Sequence, residues 1–515
     1  MRLTAALAFS VILLTTTGAR ATKAAAAGGA SISWPVIDDG AERETTTPHQ
    51  LSLNGKSLTY DATVGTLRVD DAKGKPQVSL FYVAYTLKAR KGEAPRPVTF
   101  LFNGGPGSSS IWLHMGSFGP MRVRMPHGQF MSPAPFALEA NPDTLLDETD
   151  LVFLDAPNAG FSRAIGSSTP ADFYGIDSDI GAFAGAIRRY VTRYHRWSDP
   201  KFILGESYGT TRASALTYRL QQRGMVINGT ILMSSVLNWA RYFGRLDDTY
   251  ASYIPTYAAL AQFHNKVPGD PGQRVEDVVA KATAFARGDY MSALAKGGDI
   301  APEERDRVAR EMANLVGLPA DYISRANLRV TPAQFEKELL RGDSRIIGEL
   351  DGRFASPDAN ANGEVPSFDP SYRAINGALI GSFMNYLSGN LGVEIEAPYN
   401  VSAEWAGDFS WNYSHVSPSG QQEPAADVSE DLAQAMRTNP YLRVLVLSGY
   451  YDLSTPLLGT EMDVSHMLLT PAERSRLRIA YFPAGHMLYA DPDVLPDVRA
   501  NISKFIDGAL RNNSR

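Results

Sequence analysis

The chain has no cysteine, which excludes disulfides, thiolate zinc sites, iron–sulfur clusters and a cysteine nucleophile. It also lacks an excess of positive charge, because 49 Lys and Arg against 55 Asp and Glu give a net charge of -6. Nucleic acid is therefore not an expected partner. Beyond the N-terminal region no apolar run is long enough to span a bilayer, so we expect no membrane anchor. The sequence predicts no cofactor.

What the chain does contain is enough apolar material for a large core. It has 515 residues, of which 44% are hydrophobic and 20% charged, a composition typical of globular proteins of two to four domain-sized units. Since no disulfide is available, packing alone has to hold the structure together, as this length permits.

The N-terminus has the features of an export signal. Arg2 precedes an apolar run from Leu3 to Leu14, and Ala19-Arg20-Ala21 follows as a small-x-small cleavage site. We predict a signal peptide over residues 1–21, with cleavage after one of Ala24 to Ala27 as the alternative. The mature protein is then secreted or periplasmic and begins with a flexible segment over residues 22–35.

Apolar runs at intervals along the chain predict an α/β fold with a mostly parallel central sheet. Continuous runs of this kind are typical of strands buried on both faces, and helix-like patterns such as residues 179–195 lie between several of them. Two further segments, residues 75–89 and 96–102, are rich in aromatic and branched residues and also predict strands. The continuous runs are residues 150–157, 201–207, 227–235, 442–452 and 476–486.

Between residues 240 and 400 the sequence changes to charged, helix-favouring stretches. We interpret this region as a mainly helical cap inserted over the carboxyl ends of the strands, where such sheets bind ligands. The predicted core is then divided into residues 36–239 and 401–515.

The pentad Gly205-Glu206-Ser207-Tyr208-Gly209 follows a predicted strand and fits the G-x-S-x-G pattern. In this pattern a serine projects from a sharp strand-to-helix turn as a nucleophile. The pattern by itself is weak, because glycine and serine are common in ordinary turns.

Two residues in later loops strengthen this interpretation. Asp452 and His486 each follow a predicted strand, and the order Ser207, Asp452, His486 is that of the α/β-hydrolase triad. The chemistry requires these residue types, because imidazole takes the serine proton near neutral pH and a carboxylate fixes the imidazole tautomer.

An oxyanion hole is predicted at the glycine-rich loop that follows the strand ending at residue 102. The run Asn103-Gly104-Gly105-Pro106-Gly107 offers backbone N–H groups without side-chain obstruction. The donors would be the amides of Gly105 and Tyr208, the second being the residue after the nucleophile.

Five sequence blocks together resemble the serine carboxypeptidase family, whose members are α/β hydrolases with a helical insertion and remove C-terminal residues from peptides. The resemblance implies Ser207, Asp452 and His486 as the triad and Gly105 and Tyr208 as oxyanion donors. It also implies that Asn103, Gly104 and Glu206 bind the terminal carboxylate of a peptide substrate, and two close carboxyl groups that share a proton should bind best at acid pH. The blocks are NGGPGSSS, NPDTLLDETDLVFLDAPNAGFSRA, GESYG, YYD and AGHM.

One position departs from the family pattern. Ser117 stands where family carboxypeptidases carry a second glutamate for the terminal carboxylate. We hypothesise that this recognition is weakened, or rebuilt with His114 or Arg122. An esterase or acyltransferase with the same triad is therefore the alternative to a carboxypeptidase, followed by a non-catalytic binding protein.

Two other segments allow more than one interpretation. Asp358 to Asp369 has calcium-loop spacings, but Pro366 interrupts it and we favour a polar loop in the insertion, so no metal site is predicted. In residues 408–416, Trp411, Tyr413 and His415 would either line a pocket or cover the core.

Overall fold

The structure is a computed structural model that describes residues 31–35, 37–88, 95–126, 129–243, 246–267 and 272–511. The predicted signal peptide lies outside these residues. Of the predicted flexible segment over residues 22–35, only residues 31–35 at its C-terminal end lie within the described ranges. There Ile32–Trp34 forms a short parallel strand beside Val393–Ile395, which ties it to the folded body by backbone hydrogen bonds.

A sheet of ten strands organises the described residues. Its strands, in chain order, are β1 (Glu44–Leu53), β2 (Lys56–Asp70), β3 (Pro76–Leu87), β4 (Val98–Phe102), β5 (Asp150–Leu154), β6 (Arg163–Ala164), β7 (Lys201–Glu206), β8 (Gly229–Met233), β9 (Arg443–Gly449) and β10 (Leu477–Phe482). The spatial order is β10-β9-β8-β7-β4-β5-β3-β2-β1, with β6 beside β3.

The sheet is parallel where the site is built and antiparallel at the other side. Strands β10, β9, β8, β7, β4 and β5 run parallel to one another, whereas β1, β2 and β3 form an antiparallel meander that joins β5 through β3. The carboxyl ends of the parallel strands therefore lie at one edge, where loops bring distant residues together.

Helices cover both faces of the sheet and cap one edge. Those of seven or more residues are α1 (Ile176–Arg193), α2 (Tyr208–Gln221), α3 (Asp247–Phe263), α4 (Val275–Phe285), α5 (Pro302–Val316), α6 (Pro332–Glu338), α7 (Pro370–Gly389), α8 (Ser429–Thr438), α9 (Leu457–His466) and α10 (Leu495–Arg511). Shorter helices are Ile111–Leu113, Ala240–Phe243, Met291–Leu294, Ala320–Arg325 and Pro471–Arg474, and short strand pairs are Met121–Val123 with Leu138–Ala140, Arg345–Ile347 with Ala355–Pro357, and His415–Val416 with Gln422–Glu423.

Two hydrophobic clusters lie on opposite faces of the sheet because successive strand side chains alternate between them. In β4, Leu101 packs with α7 and α10, whereas Phe100 and Phe102 pack with α1, α2 and α8. A third cluster joins α3, α4 and α5 to Tyr450, Tyr451 and Leu453, in the loop after β9. The helices of the insertion therefore rest on a loop at the carboxyl edge.

The α/β-hydrolase prediction is confirmed, and each predicted strand is present in slightly trimmed form. The region over residues 240–400 does not act as a cap throughout, because α7 lies inside it but packs on a face of the sheet. The domain boundaries remain predictions. Across the described ranges, we find no helix with the length and apolar character needed to cross a membrane.

Candidate active site

Ser207 lies at a sharp turn between β7 and α2. Its backbone has φ 59° and ψ -131°, a region that non-glycine residues occupy only when surrounding contacts enforce it. Its amide donates to the carbonyl oxygen of Met233 in β8 at 3.0 Å. A Cβ on Gly205 would lie 2.0 Å from the carbonyl oxygen of Gly209, so the turn excludes any side chain at position 205.

His486 and Asp452 form a hydrogen-bonded pair at the same edge of the sheet. Nδ1 of His486 lies 2.9 Å from Oδ2 of Asp452, and the two residues are 4% and 0% exposed. The carboxylate also accepts the amides of Ser454 and Thr455 at 2.9 and 2.8 Å and the Thr455 hydroxyl at 2.6 Å. These donors fix the orientation of the carboxylate and, through it, that of the imidazole.

The ring of His486 is surrounded by acids. Burial alone would lower its pKa, but Asp452, followed by Glu206 and Glu349, outweighs burial and raises the pKa to about 9. These carboxylates stabilise the imidazolium that forms when the ring accepts a proton. His486 and Ser207 line the same cavity, so the base and the hydroxyl face a shared space.

The glycine loop after β4 is in direct backbone contact with the start of α2. A Cβ on Gly104 would lie 2.4 Å from the amide nitrogen of Tyr208, so only glycine fits there. Gly105 has φ 103° and lines the cavity beside Ser207. The two predicted oxyanion donors thus belong to segments that touch each other.

Glu206 is buried beside Ser207 and accepts two hydrogen bonds on one oxygen. The Asn103 amide and the Tyr489 hydroxyl donate to its Oε2 at 2.5 and 2.7 Å. Burial raises the pKa of Glu206 to about 7, against the opposing effects of His486 and these donors. A proton therefore remains on this carboxyl up to near-neutral pH.

A cavity of about 310 Å³ opens between the sheet edge and the insertion. Among the described residues that line it, three carry a carboxyl group and one an imidazole, and none is Lys or Arg. The lining residues are Asn103, Gly104, Gly105, Ser108, Trp112, Glu206, Ser207, Glu349, Leu350, Asp369, Tyr372, Ser454, His486 and Met487.

Two of these carboxyl groups come from the insertion. Asp369 caps α7 by accepting the amide of Ser371 at 2.9 Å, and the same oxygen accepts the amide of Glu349 at 3.1 Å. This shared acceptor fixes Glu349 at the cavity wall. Withdrawal from water, followed by the charge of Asp369, raises the pKa of Glu349.

Ser117 and His114 point away from the cavity. Ser117 is fully buried and donates to the carbonyl oxygen of Leu113 at 2.5 Å. His114 Nε2 lies 2.6 Å from the hydroxyl of Tyr85, and its ring stacks on Phe153. Burial lowers its pKa to about 3, so it contributes no positive charge.

Arg122 is also committed elsewhere, since it pairs with Glu139 at 3.1 Å and with Asp143 at 2.7 Å. Neither His114 nor Arg122 lines the cavity. The hypothesis that these two residues rebuild carboxylate recognition is therefore wrong.

The segment with calcium-loop spacing serves other elements. Asp358 pairs with Lys337 at 2.5 Å, while Asp369 caps α7 as described above. In the part of the chain that the structure describes, no group of three or more His, Asp or Glu side chains is arranged to hold a metal ion. The interpretation as a polar loop agrees with these contacts.

The aromatic loop over residues 408–416 covers the core. Trp411 packs on Tyr208 with ring centroids 5.3 Å apart, and Tyr413 joins the same hydrophobic cluster. His415 instead bridges two acids, with Nδ1 2.6 Å from Asp177 and Nε2 3.0 Å from Asp431.

Thr455, Tyr489 and Glu349 also belong to the site, although none of them was predicted from the sequence. Thr455 and Tyr489 each stand three residues after a predicted triad member, and a hydrogen-bonding side chain at that spacing was the available signal. No local signal identifies Glu349, because its place depends on how the insertion folds back.

Comparisons with known proteins confirm the resemblance seen in the motifs. The sequence model of the serine carboxypeptidase family matches residues 57–231. Among relatives, the chain is 31% identical over 149 residues to serine carboxypeptidase-like 26 of Oryza sativa subsp. japonica, which covers 28% of each chain. It is 29% identical over 147 residues to serine carboxypeptidase-like 20 of Arabidopsis thaliana, covering 28% of this chain and 27% of the relative. The matched segment thus spans under a third of these relatives.

Among solved structures, the fold matches Kex1(delta)p, a prohormone-processing carboxypeptidase from Saccharomyces cerevisiae. The TM-score is 0.51, the sequence identity is 12%, and the match covers 88% of this chain and 92% of that one. At this identity the match concerns the fold.

Proposed function

We propose, on the premise of this family resemblance, that the chain is a serine hydrolase that removes C-terminal residues from peptides through an acyl-enzyme. The observation that carries the proposal is the His486–Asp452 pair, whose imidazole shares one cavity with Ser207 on its strained turn. A nucleophile, a base and an acid in this arrangement perform acyl transfer.

The proposed chemistry proceeds in two halves. The Ser207 hydroxyl attacks the last peptide carbonyl while His486 takes its proton, and the amides of Gly105 and Tyr208 donate to the oxyanion. His486 then gives the proton to the leaving amine, which departs as the free C-terminal amino acid. Water, activated by the same imidazole, releases the acyl group from the serine.

Asn103, Gly104 and Glu206 are proposed to hold the terminal carboxylate of the substrate. Two carboxyl groups sit close together only if one of them keeps a proton, and the raised pKa of Glu206 provides this up to about pH 7. Glu349 lies on the same wall and its pKa is also raised, so protonation of this second carboxyl favours a free-acid substrate further. These features support a preference for free acids at acid pH.

The second candidate is an esterase or acyltransferase with the same triad. It is favoured by Ser117, because this residue provides no second acid for the terminal carboxylate. Its buried hydroxyl donates a hydrogen bond to a backbone carbonyl oxygen instead. The same acyl-enzyme would then pass to water or an alcohol. A non-catalytic binding protein is the third and weakest candidate, because it leaves the proposed triad and oxyanion donors without a use.

The deciding experiment compares three N-blocked substrates that share an acyl group, namely a dipeptide acid, its C-terminal amide and a simple ester, from pH 4 to pH 8. Ser207→Ala serves as the control. Preferential cleavage of the free acid, strongest at low pH and absent in Ser207→Ala, is expected for a carboxypeptidase. Ester turnover without peptide cleavage would favour the second candidate, and no turnover that depends on Ser207 would refute both.

We also propose that the chain is exported, because the apolar run from Leu3 to Leu14 and the Ala19-Arg20-Ala21 site fit a secretory signal. Mass spectrometry of the protein from a cell envelope extract should show an N-terminus at Thr22 or shortly after it. An intact N-terminus on exported or cytosolic protein would contradict the predicted cleavage.

A further inference from the structure

Arg212, on the second turn of α2, is a large charged side chain that is completely buried. It is 0% exposed, as is Asp179 of α1, with which it forms a two-point ion pair. Nε donates to Oδ2 of Asp179 at 2.7 Å, and Nη2 donates to Oδ1 at 3.1 Å. This fork geometry fixes the guanidinium plane.

The remaining contacts of the pair reach both segments that carry the proposed oxyanion donors. Nη1 of Arg212 donates to the backbone carbonyl of Asn103 at 2.8 Å, immediately before Gly104 and Gly105. The hydroxyl of Tyr208 donates to Asp179 at 3.2 Å. One ion pair therefore connects the loop after β4 to the first residue of α2.

Aromatic rings hold the guanidinium from several sides. Its central carbon lies 4.1 Å from the ring centroid of Phe183, 5.1 Å from that of Phe102 and 5.2 Å from that of Tyr208. The cation therefore has attractive contacts in place of water, and its position is set by the rings of β4, α1 and α2 together.

The two segments also press against each other through their backbones. A Cβ on Gly209 would lie 3.1 Å from the carbonyl oxygen of Asn103, the same oxygen that Arg212 binds. Any displacement of Arg212 would release this carbonyl and allow the loop to move relative to α2.

A buried ion pair is a weak source of stability, because desolvation offsets most of the attraction between the charges. Geometry, by contrast, matters strongly at an oxyanion hole, where donors must lie within about 2.7–3.1 Å of the developing charge. A misplacement of about 1 Å can reduce the rate about a hundredfold. The position of this pair, directly behind the loop and helix start, therefore has more consequence for catalysis than for stability.

We propose that Arg212, oriented by Asp179, is a positioning residue that fixes the Asn103–Gly105 loop against the Tyr208 end of α2 and so sets the geometry of the oxyanion hole. The inference rests on the proposed function, because it assumes that Gly105 and Tyr208 stabilise the oxyanion. Arg212 itself does not touch the substrate.

Two variants test the proposal, and neither of them leaves a buried charge without its partner. Arg212→Met combined with Asp179→Asn removes both charges and keeps an acceptor for Tyr208, whereas Arg212→Lys keeps the ion pair but loses the planar fork. The matched control is Lys337→Met with Asp358→Asn, another ion pair with side chains only 2% and 3% exposed, which lies away from the cavity.

The measurements are kcat and KM on an ester substrate and the affinities of two ligands. One ligand is a peptide aldehyde, whose adduct with Ser207 places an oxygen in the hole, and the other is the product acid. Both Arg212 variants should lower kcat about 10- to 100-fold with little change in KM. The affinity for the aldehyde should fall by about the same factor as kcat, whereas the affinity for the product acid should stay unchanged. The control pair should leave kcat, KM and both affinities unchanged.

Near-UV circular dichroism establishes which variants are folded. If the double variant does not fold, Arg212→Lys decides by the same criteria. Wild-type kcat and aldehyde affinity in the folded variants would overturn the inference, and so would equal losses of aldehyde and product affinity. If the wild-type protein shows neither turnover nor aldehyde binding that depends on Ser207, the proposed function fails first and the inference fails with it.

Discussion

Tyr489 donates its hydroxyl hydrogen to Oε2 of Glu206 at 2.7 Å, and both side chains are buried. Tyr489 is the third residue after His486, so one short loop carries both the proposed base and a donor to the proposed substrate-binding acid. The charge state of Glu206 therefore depends on the loop that positions the base.

Tyr489→Phe should shift the pH dependence of free-acid recognition upward. The hydroxyl stabilises the charged form of Glu206, so its loss should raise the pKa of Glu206 above about 7. The ratio of kcat/KM for a free-acid peptide to that for an ester should then fall at a higher pH, while kcat on the ester changes little. Tyr481→Phe, which removes a hydroxyl bonded to Glu461, is the matched control. If the pH at which this ratio is half-maximal does not change in Tyr489→Phe, Glu206 is not the group that titrates.

Glu206→Gln should abolish the pH dependence of the same ratio. The protonated carboxyl is present below a pKa of about 7 and is lost as the pH rises through it. The wild-type ratio should therefore be highest on the acid side and fall by about tenfold per pH unit above the pKa. Because glutamine does not titrate, its ratio should be flat. Since His486 acts on both substrates, its own titration cancels. If the ratio still falls with pH in Glu206→Gln, the titrating group is a different residue. Glu276→Gln, which removes the same charge on the exposed surface, is the control.

Glu349→Gln should improve free-acid binding at neutral pH by removing a negative charge from the cavity wall. KM for the free acid at pH 7 should decrease, whereas KM for the ester should stay nearly constant. Glu349 also contributes to the raised pKa of His486, so the acid limb of the ester profile, along which the imidazole loses its proton, should move to lower pH. Steady-state kinetics of both substrates from pH 5 to pH 9 measure the two effects together. An unchanged free-acid KM would show that Glu349 does not face the bound carboxylate.

His415→Asn should destabilise the protein more at pH 6 than at pH 10. Burial lowers the pKa of His415, but Asp177 and Asp431 outweigh it and raise the pKa from 6.5 to about 10. The stabilisation is therefore complete below about pH 6.5 and is lost as the pH rises through about 10. Urea unfolding should show a loss of about 1–3 kcal/mol at pH 6 that shrinks toward pH 10. Exposed His195→Asn is the control, and a difference independent of pH would contradict the bridging role.

The strands of the sheet were predictable because they depend on local pattern, and the proposed triad was chosen from residues that follow three of these strands. Continuous apolar runs indicated β5, β7, β8, β9 and β10. Loops that follow parallel strands lie at the same edge of the sheet, so residues in these loops come close together once the sheet has formed. Ser207, Asp452 and His486 thus needed no knowledge of the insertion.

The remaining parts of the site depend on contacts that local pattern does not encode. Glu349 reaches the cavity through contacts with distant residues, because Asp369 at the start of α7 accepts its backbone amide and the amide of Leu453 donates to its carbonyl oxygen. His114 was wrongly expected to reach the site, since nearness in sequence to the glycine loop does not tell which way a side chain points. Its ring turns toward Tyr85 and Phe153 in the core.

The chain order of the parallel strands determines when the proposed triad is complete. Ser207 and its turn lie in the first half of the chain, but His486 follows β10, an edge strand held in the sheet by β9. During synthesis the proposed nucleophile therefore emerges nearly 280 residues before the proposed base. A nascent or truncated chain that lacks β10 would hold Ser207 without the His486–Asp452 pair, so folding of the last strand would complete the proposed triad.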